Sequence, residues 1–327
     1  MAKFSVFMTD TIFPDTAIER EVLSAADAEL VLSSAKDDEV FLTEGKDCDA
    51  MLVVYAPVSA GVIEGLNKCK VMVRTGIGVN NIDLAAASRK GIMVANVPDY
   101  CIDEVADHTF SLFLCGIRKI SYLNQKVKSG IWDVNEAKPI PRLRGKKYGL
   151  LGCGAIGRQV AARAKAFGME VHAYDPFLPA EKFAELGIAR VDTLEAFFPL
   201  VDFFSLHVPL TEATHHMINS KTLGQMKSGA FFVNTSRGDL VNENDLYEAL
   251  SNKVIAGAAL DVLNTEPPKM PFPLAELENV ILTPHAAFVS EDAIPELRRK
   301  AAQEIVRTLT EGKPKFWVNR KEMEASK

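Results

Sequence analysis

The chain has 327 residues, a length typical of two domains of roughly 100–200 residues each. Hydrophobic residues make up 48%, charged residues 24%, and the net charge is −6. This composition predicts two globular cores and excludes a chain-wide basic surface for nucleic acid. No apolar run approaches the roughly 18–20 residues that span a bilayer. The five cysteines are widely spaced without a CxxC pair, which favours reduced thiols, so we expect a cytoplasmic protein.

The first hundred residues alternate short β-rich runs with helix-like runs. Strands are predicted at 4–7, 29–32, 51–54, 71–73 and 92–94, with helical stretches such as 17–26 and 82–90 between them. Such alternation predicts a parallel sheet covered by helices on both faces. We therefore predict an α/β domain at residues 1–99.

A long helix is predicted at 101–128, and a proline-containing loop at 130–147 follows it. A second series of strands is predicted at 148–151, 170–174, 201–206, 230–234, 254–260 and 280–282. Six is the number of strands in a complete doubly wound nucleotide-binding sheet. We therefore predict a second α/β domain at 100–290, followed by a last helix at 295–311.

A glycine-rich turn begins the second domain. Residues 152–157, Gly-Cys-Gly-Ala-Ile-Gly, fit the pattern G-x-G-x-x-G between an apolar strand and a helix-forming stretch. The glycines permit a tight turn and close backbone approach, so that a pyrophosphate can sit on the helix N-terminus. Asp175 ends the next strand, where a carboxylate can accept hydrogen bonds from ribose hydroxyls and would repel a 2′-phosphate. The pattern predicts a dinucleotide site that prefers NAD to NADP.

Three charged side chains follow later strands of the same predicted sheet. Arg237, Glu266 and His285 each come after a strand, and ligands of such sheets bind at the carboxyl ends of strands. Arginine can grip a carboxylate through two hydrogen bonds, and histidine can protonate a carbonyl oxygen. A neighbouring glutamate would stabilise the imidazolium form. These residues predict hydride transfer to a 2-oxo acid, with all three as catalytic residues.

Other chemistries lack their motifs. His215 and His216 are a potential metal pair, but no third ligand at a sensible spacing accompanies them, so we predict no metal site. No GxSxG and no Walker A sequence is present, which disfavours triad hydrolysis and P-loop phosphoryl transfer.

The ordered set of motifs resembles the D-isomer-specific 2-hydroxyacid dehydrogenases over essentially the whole chain. The motifs are RTGIGVNNID at 74–83, the glycine-rich turn at 152–157, Tyr-Asp-Pro at 174–176, HVPLT at 207–211, NTSRG at 234–238, ALDV at 259–262, Glu-Pro at 266–267 and Thr-Pro-His at 283–285. Within the family the chain looks most similar to the branch that contains the C-terminal binding proteins, as indicated by residues 163–168 and 283–291.

The resemblance implies an architecture and an activity. It implies a Rossmann nucleotide domain and a flavodoxin-like substrate domain completed by residues 291–327, both doubly wound α/β folds, with the active site in the cleft between them. The implied enzyme is an NAD-dependent oxidoreductase, D-specific, that transfers a hydride between NAD(H) and a small 2-oxo or 2-hydroxy acid. A homodimer joined through the nucleotide domain is also implied, with no membrane and no nucleic acid as partner.

The resemblance also implies roles for individual residues. Arg237 would bind the substrate carboxylate and carbonyl, His285 would be the acid/base, and Glu266 would pair with His285. The implied cofactor-binding residues are Gly152, Gly154, Ala155, Ile156, Gly157, Asp175, Pro176, His207, Val208, Pro209, Thr214, Thr235, Ser236, Arg237, Asp261 and His285, with Asp261 facing the carboxamide. The implied substrate-binding residues are Arg74, Gly76, Ile77, Gly78, Arg237, His285 and Phe288. Phe288 replaces the tryptophan of the C-terminal binding proteins, which fits an apolar substrate side chain.

Departures from the family pattern narrow the substrate. Glu266 stands where the formate dehydrogenases carry glutamine, so formate oxidation is disfavoured. The loop at 55–59 lacks the arginine that phosphoglycerate dehydrogenases often supply there, which disfavours a phosphorylated substrate. One alternative stays open: an NAD(H)-responsive binding or co-regulator protein that retains a dehydrogenase site. The complete set of Arg237, Glu266 and His285 favours the enzyme.

Overall fold

The computed structural model describes residues 2–325. Its strands are β1 Phe4–Met8, β2 Ala28–Leu32, β3 Ala50–Val53, β4 Val71–Arg74, β5 Met93–Ala95, β6 Lys147–Leu151, β7 Glu170–Tyr174, β8 Ala189–Arg190, β9 Phe203–Leu206, β10 Phe231–Asn234, β11 Gly257–Leu260 and β12 Val280–Leu282. Its helices are α1 Ala17–Ser24, α2 Asp38–Glu44, α3 Ala60–Gly65, α4 Leu84–Arg89, α5 Ile102–Ile117, α6 Ile120–Lys128, α7 Ala155–Ala166, α8 Ala180–Glu185, α9 Leu194–Leu200, α10 Ser220–Leu223, α11 Glu243–Ser251, α12 Ala293–Glu311 and α13 Arg320–Ala325. Short 3₁₀ helices lie at Val134–Ala137, Gly238–Leu240 and Pro273–Glu276.

The chain divides into two compact units. Residues up to Cys101 and those from Ser290 onward form the first unit, and Ile102–Val289 form the second. The first unit has a parallel sheet in the order β2-β1-β3-β4-β5, which is the flavodoxin order expected from the resemblance.

A buried ion cluster joins α12 to the first unit, in which α12 packs against α1, β3 and β4. Arg298 Nη2 lies 2.7 Å from Glu19 Oε2 and 2.9 Å from Asp15 Oδ1. Arg298 and Glu19 are 4% and 1% exposed, and the Phe13 ring lies 4.9 Å from the guanidinium. Because each charge is paired and hydrogen-bonded, the cluster avoids the cost of an isolated buried ion.

The second unit has a parallel sheet in the order β12-β11-β10-β9-β6-β7-β8. Numbered within this unit the order is 7-6-5-4-1-2-3, so it contains the Rossmann arrangement 3-2-1-4-5-6 with one strand added. The predicted fold class is confirmed. The predicted count of six strands is wrong, because β8 has only two residues and carries no readable pattern. The direction of strand order reverses between β6 and β9, and this switch point is where such sheets bind ligands.

Aromatic side chains fill the core of the second sheet. Phe204 stacks on Phe232 with ring centroids 5.3 Å apart, and Phe113 packs edge-on against Tyr148 at 5.1 Å. All four are fully buried, as expected for parallel strands with helices on both faces. The strands that lead to the polar side chains are thereby packed on both faces of the sheet.

One predicted helix is two helices. Residues 101–128 form α5 and α6, and the break falls at Lys119, which has a left-handed φ of 55°. The sequence offers neither glycine nor proline at the break.

Two strands begin later than predicted. Those predicted to begin at 201 and 254 begin instead at Phe203 and Gly257, because the preceding residues cap α9 and form a turn. Within residues 2–325, no helix has the length and apolar character that crossing a membrane requires.

Candidate active site

The glycine-rich turn connects β6 to α7 at the switch point. Gly152 has a φ of +93°, and a Cβ there would lie 2.5 Å from the carbonyl oxygen of His207. A Cβ at Gly157 would lie 2.5 Å from the carbonyl oxygen of Gly152. Both positions therefore need glycine for the protein's own packing.

Gly154 differs from its two neighbours in the motif. A Cβ at Gly154 would meet no protein atom within 4 Å, and its φ is −72°. Gly154 is the N-cap of α7 and has no side chain to cap the helix. Ala155 and Ile156 are the first two residues of the helix. The open space and the first-turn N–H groups fit a close-lying anion such as a pyrophosphate.

Asp175 follows β7 and faces the same turn. Its Oδ2 accepts from the Cys153 N–H at 2.8 Å, and its Oδ1 accepts from the Phe177 N–H at 3.0 Å. Each carboxylate oxygen can accept a further hydrogen bond, as a ribose hydroxyl would require. Pro176, next in sequence, has no N–H to offer.

The segment after β9 borders the glycine-rich turn. Burial lowers the pKa of His207 to about 3, and its Nε2 lies 2.7 Å from Ser205 Oγ. His207 is therefore neutral at ordinary pH. Thr214 Oγ1 donates to the Pro209 carbonyl at 2.7 Å and closes the turn between them. Val208, just before this turn, is half-buried.

The segment after β10 carries Arg237. Thr235 Oγ1 lies 2.7 Å from Thr109 Oγ1 on α5, and Ser236 Oγ donates to the Leu206 carbonyl at 2.7 Å. Asn234 Nδ2 donates to the Arg237 carbonyl at 2.8 Å. These bonds fix the backbone on which the half-buried guanidinium is mounted.

His285 and Glu266 form a direct pair. His285 Nδ1 lies 2.7 Å from Glu266 Oε2, and Glu266 Oε1 accepts from the Leu263 N–H at 2.9 Å. Burial alone would raise the pKa of Glu266, but the hydrogen bond from His285, the charges of His285 and Arg237, and the Leu263 N–H hold it below its usual value. The glutamate is therefore ionised, and it fixes the orientation of the imidazole ring and the donor role of Nδ1.

Asp261 anchors the backbone around His285. Its carboxylate is fully buried and accepts from Thr283 Oγ1 at 2.6 Å and from the N–H groups of Ala286 and Ala287 at 2.9 Å. His108 Nε2 on α5 lies 3.4 Å from the same carboxylate. Burial would raise the pKa of Asp261, but these hydrogen bonds outweigh it and the pKa is lowered. The sequence gives no signal for His108, because no spacing relates α5 to the strand ends, and it shows Thr283 only as part of the Thr-Pro-His motif, without its bond to Asp261.

A glycine lets two site loops touch. A Cβ on Gly238 would lie 2.0 Å from the backbone carbonyl carbon and oxygen of Leu263. Gly238 follows Arg237, and Leu263 precedes Glu266 in the next loop. The contact therefore sets the separation of these two side chains. Phe288 lies on the other flank, edge-on to His285 at 6.1 Å.

The predicted substrate loop of the first unit follows β4. Val97 N–H donates to the Gly76 carbonyl at 2.9 Å, and Asn96 Nδ2 donates to the Ile77 carbonyl at 2.6 Å. The Arg74 guanidinium lies 5.8 Å from the Tyr55 ring, and its Nε is buried without a hydrogen-bond partner among residues 2–325. Burial lowers the pKa of Arg74. Gly78 is half-buried in the same loop.

Comparison with known proteins identifies the family. Residues 110–287 match the model described as D-isomer specific 2-hydroxyacid dehydrogenase, NAD binding domain. The D-3-phosphoglycerate dehydrogenase of Methanocaldococcus jannaschii is 44% identical over 261 residues, which are 80% of this chain and 48% of that enzyme. The chain thus spans about half the length of that relative. The glyoxylate reductase of Korarchaeum cryptofilum is 39% identical over 265 residues, 80% of this chain and 79% of that enzyme.

Two solved structures match the chain over nearly its whole length. The glyoxylate reductase from Paecilomyes thermophila has a TM-score of 0.89 and 28% identity, and the match covers 98% of this chain and 100% of that one. The D-lactate dehydrogenase from Aquifex aeolicus, complexed with NAD and lactic acid, has a TM-score of 0.86 and 27% identity, with 98% of each chain covered. The chain therefore belongs to the D-isomer-specific 2-hydroxyacid dehydrogenase family.

Proposed function

We propose that the protein is an NAD-dependent D-2-hydroxyacid dehydrogenase. The observation that carries the proposal is the 2.7 Å contact between His285 Nδ1 and an ionised Glu266, beside Arg237 at adjacent strand ends. The family match and the names of the relatives support the same activity. Because the relatives are named as enzymes, the alternative of a co-regulator protein is not favoured.

The residues present fit NAD. The second unit would be the dinucleotide-binding domain, with the pyrophosphate over Gly154 and the adenosine ribose on Asp175. The first unit would be the substrate domain, with Arg74, Gly76, Ile77 and Gly78 as binders of the substrate carboxylate. Bound NADH would supply the hydride.

The chain's own side chains supply the other requirements of the reaction. Arg237 offers a planar fork of N–H groups for the carboxylate of a 2-oxo acid. His285 would donate a proton from Nε2 to the carbonyl oxygen, and in the reverse direction accept one from the hydroxyl. The Glu266 carboxylate orients the ring and stabilises the imidazolium. Asp261 holds the backbone from which His285 projects.

Two features of the chain support a substrate class. Phe288 favours an apolar substituent, and the loop at 55–59 has no arginine for a phosphate. We therefore propose small, unphosphorylated 2-oxo acids. The placement nearest the C-terminal-binding-protein branch stays a prediction.

A panel of 2-oxo acids tests the function. Glyoxylate, pyruvate, longer unbranched 2-oxo acids and 3-phosphohydroxypyruvate are offered with NADH, and the nicotinamide absorbance is followed. We expect turnover of the unphosphorylated acids that requires His285 and Arg237. If no acid in the panel is reduced, or if His285→Ala turns over as the wild type does, the proposed function is wrong.

We also propose a homodimer through the second unit. Residues on and just after α6 expose apolar side chains: Ile120 56%, Val127 49%, Ile131 42%, Trp132 88% and Val134 80%. A contiguous segment of this kind is typical of an interface. Light scattering after size exclusion should give twice the mass of 35.8 kDa, and Trp132→Asp should lower it. A monomeric wild type would contradict the proposal.

The location proposed is the cytoplasm. None of the five cysteines, all within the described residues, forms a disulfide, which supports a reducing compartment.

A further inference from the structure

Two adjacent histidines meet an aspartate from another connection. His215 and His216 lie in the turns between β9 and α10, and Asp239 lies in the 3₁₀ helix after Arg237. One ligand atom from each side chain lies within 4.8 Å of the other two. The two imidazole rings stack with centroids 3.9 Å apart. Asp239 is thus a potential third ligand beside the two histidines, which the sequence spacing did not reveal.

The backbone holds these groups together. The His216 N–H donates to the Asp239 carbonyl at 2.8 Å. Two residues further on, Ile218 N–H donates to the Leu240 carbonyl at 3.0 Å, and Ile218 forms a parallel bridge with Val241. The segments that carry the ligands are therefore fixed side by side, and only side-chain rotation is needed to bring the ligand atoms closer.

Asn264 orients the carboxylate. Asn264 Nδ2 donates to Asp239 Oδ1 at 3.0 Å, an outer hydrogen bond of the kind that steadies a metal-binding carboxylate. The backbone N–H of the same Asn264 donates to Glu243 Oε1 at 2.7 Å, so this residue ties a second carboxylate to the segment that carries Asp239.

We propose that His215, His216 and Asp239 form a binding site for a divalent transition-metal ion of the zinc class. Two imidazoles and one carboxylate suit Zn²⁺, Co²⁺ or Ni²⁺, whereas Mg²⁺ and Ca²⁺ prefer oxygen ligands alone. A tetrahedral ion at about 2.0–2.1 Å from each ligand needs ligand atoms roughly 3.4 Å apart. Rotation of the exposed His215 side chain would shorten the ligand-atom separations from within 4.8 Å to this distance. Water takes the fourth position.

The test is metal binding by the full-length, untagged protein, which needs no assay of dehydrogenase activity. Co²⁺ is titrated and its visible d–d absorption is recorded, and Zn²⁺ stoichiometry is measured by equilibrium dialysis. We expect one tight equivalent per chain, with Mg²⁺ unable to compete. The variants are Asp239→Asn, which keeps shape but removes charge, and His216→Asn, because asparagine tolerates the left-handed φ of 50°. Each should weaken binding at least tenfold.

A matched control separates this cluster from the His285–Glu266 pair. His285 also has a left-handed φ, of 53°, so His285→Asn makes the same chemical change at a similar backbone position. We expect this variant to bind the metal as the wild type does. Thermal unfolding without metal checks that all three variants are folded. Binding that survives in Asp239→Asn and His216→Asn, or is lost in His285→Asn, would overturn the proposal, as would a wild type that binds no equivalent.

Discussion

Replacing Gly238 with alanine tests the contact that separates Arg237 from Glu266. The new Cβ would lie 2.0 Å from the Leu263 carbonyl carbon and oxygen and 2.5 Å from the Asn264 nitrogen. Nonbonded carbon atoms prefer about 3.5–4.0 Å. The two loops must therefore separate by roughly 1.5 Å, and no side chain can absorb the shift because the obstructing atoms are backbone.

The expected cost has two parts. Overpacking of this kind lowers the free energy of unfolding by about 1–3 kcal/mol. In a unit of 150–250 residues, each kcal/mol lowers the Tm by roughly 2–4 °C, so we expect a fall of about 2–12 °C. The separation also moves Glu266 and its histidine away from Arg237. A misplacement near 1 Å can cost about 10²-fold in rate, and we expect a loss of that order in kcat/KM.

Gly229→Ala is the matched control. A Cβ there would meet no atom within 4 Å, and the position is exposed just before β10. Both substitutions reduce the entropy of the unfolded chain equally, so their difference isolates the contact. The assays are thermal unfolding and kcat/KM for a 2-oxo acid with NADH. If Gly238→Ala has the same Tm as Gly229→Ala and keeps kcat/KM within threefold of wild type, the contact does not set the geometry of the site.

Further predictions concern the charged groups. His285→Ala should leave NADH affinity nearly intact and cut kcat by about 10²–10⁴-fold; turnover within threefold of wild type would exclude it as the acid/base. Arg237→Lys keeps the charge but loses the fork, so kcat and KM should both worsen; an unchanged kcat/KM would show that the carboxylate is held elsewhere. NADH should be preferred to NADPH by at least about tenfold in kcat/KM, and Asp175→Ala should erode the preference; equal efficiencies in the wild type would remove Asp175 as the ribose acceptor. Because the folded-state pKa of His207 is lowered to about 3, the unfolded chain binds its proton first, and stability falls as pH drops below the ordinary histidine value of about 6.5. Between pH 7 and 5, the free energy of unfolding measured with urea should fall less in His207→Asn than in the wild type. The same pH dependence in both proteins would contradict the lowered pKa of His207.

The strand ends could be predicted from sequence because parallel sheets obey a simple rule. Strands of β-rich residues are recognisable, and their carboxyl ends share one edge of the sheet. The placement of Arg237 and Glu266 on neighbouring connections can therefore be predicted without knowing any side-chain contact. The glycine-rich turn is equally local, since strand, turn and helix lie within one short segment.

Other features depend on contacts between distant segments. The break at Lys119 has no local signal, because lysine does not favour a left-handed φ. His108 reaches Asp261 from α5, and Asp239 reaches His216 across a separate connection. No spacing rule links these pairs, because α5 crosses the sheet and the two loops meet only after β9 and β10 are side by side.

The ion cluster of Arg298 has a consequence for synthesis on the ribosome. Glu19 leaves the ribosome long before Arg298, because the second unit, residues 102–289, is made in between. The 279 residues from Glu19 to Arg298 take on the order of 14–56 s to synthesise at roughly 5–20 residues per second. During this interval, the apolar surface that α12 will cover and the carboxylate that Arg298 will neutralise have no partner. The second unit can fold first as a continuous segment, whereas the first unit is completed only after α12 has emerged.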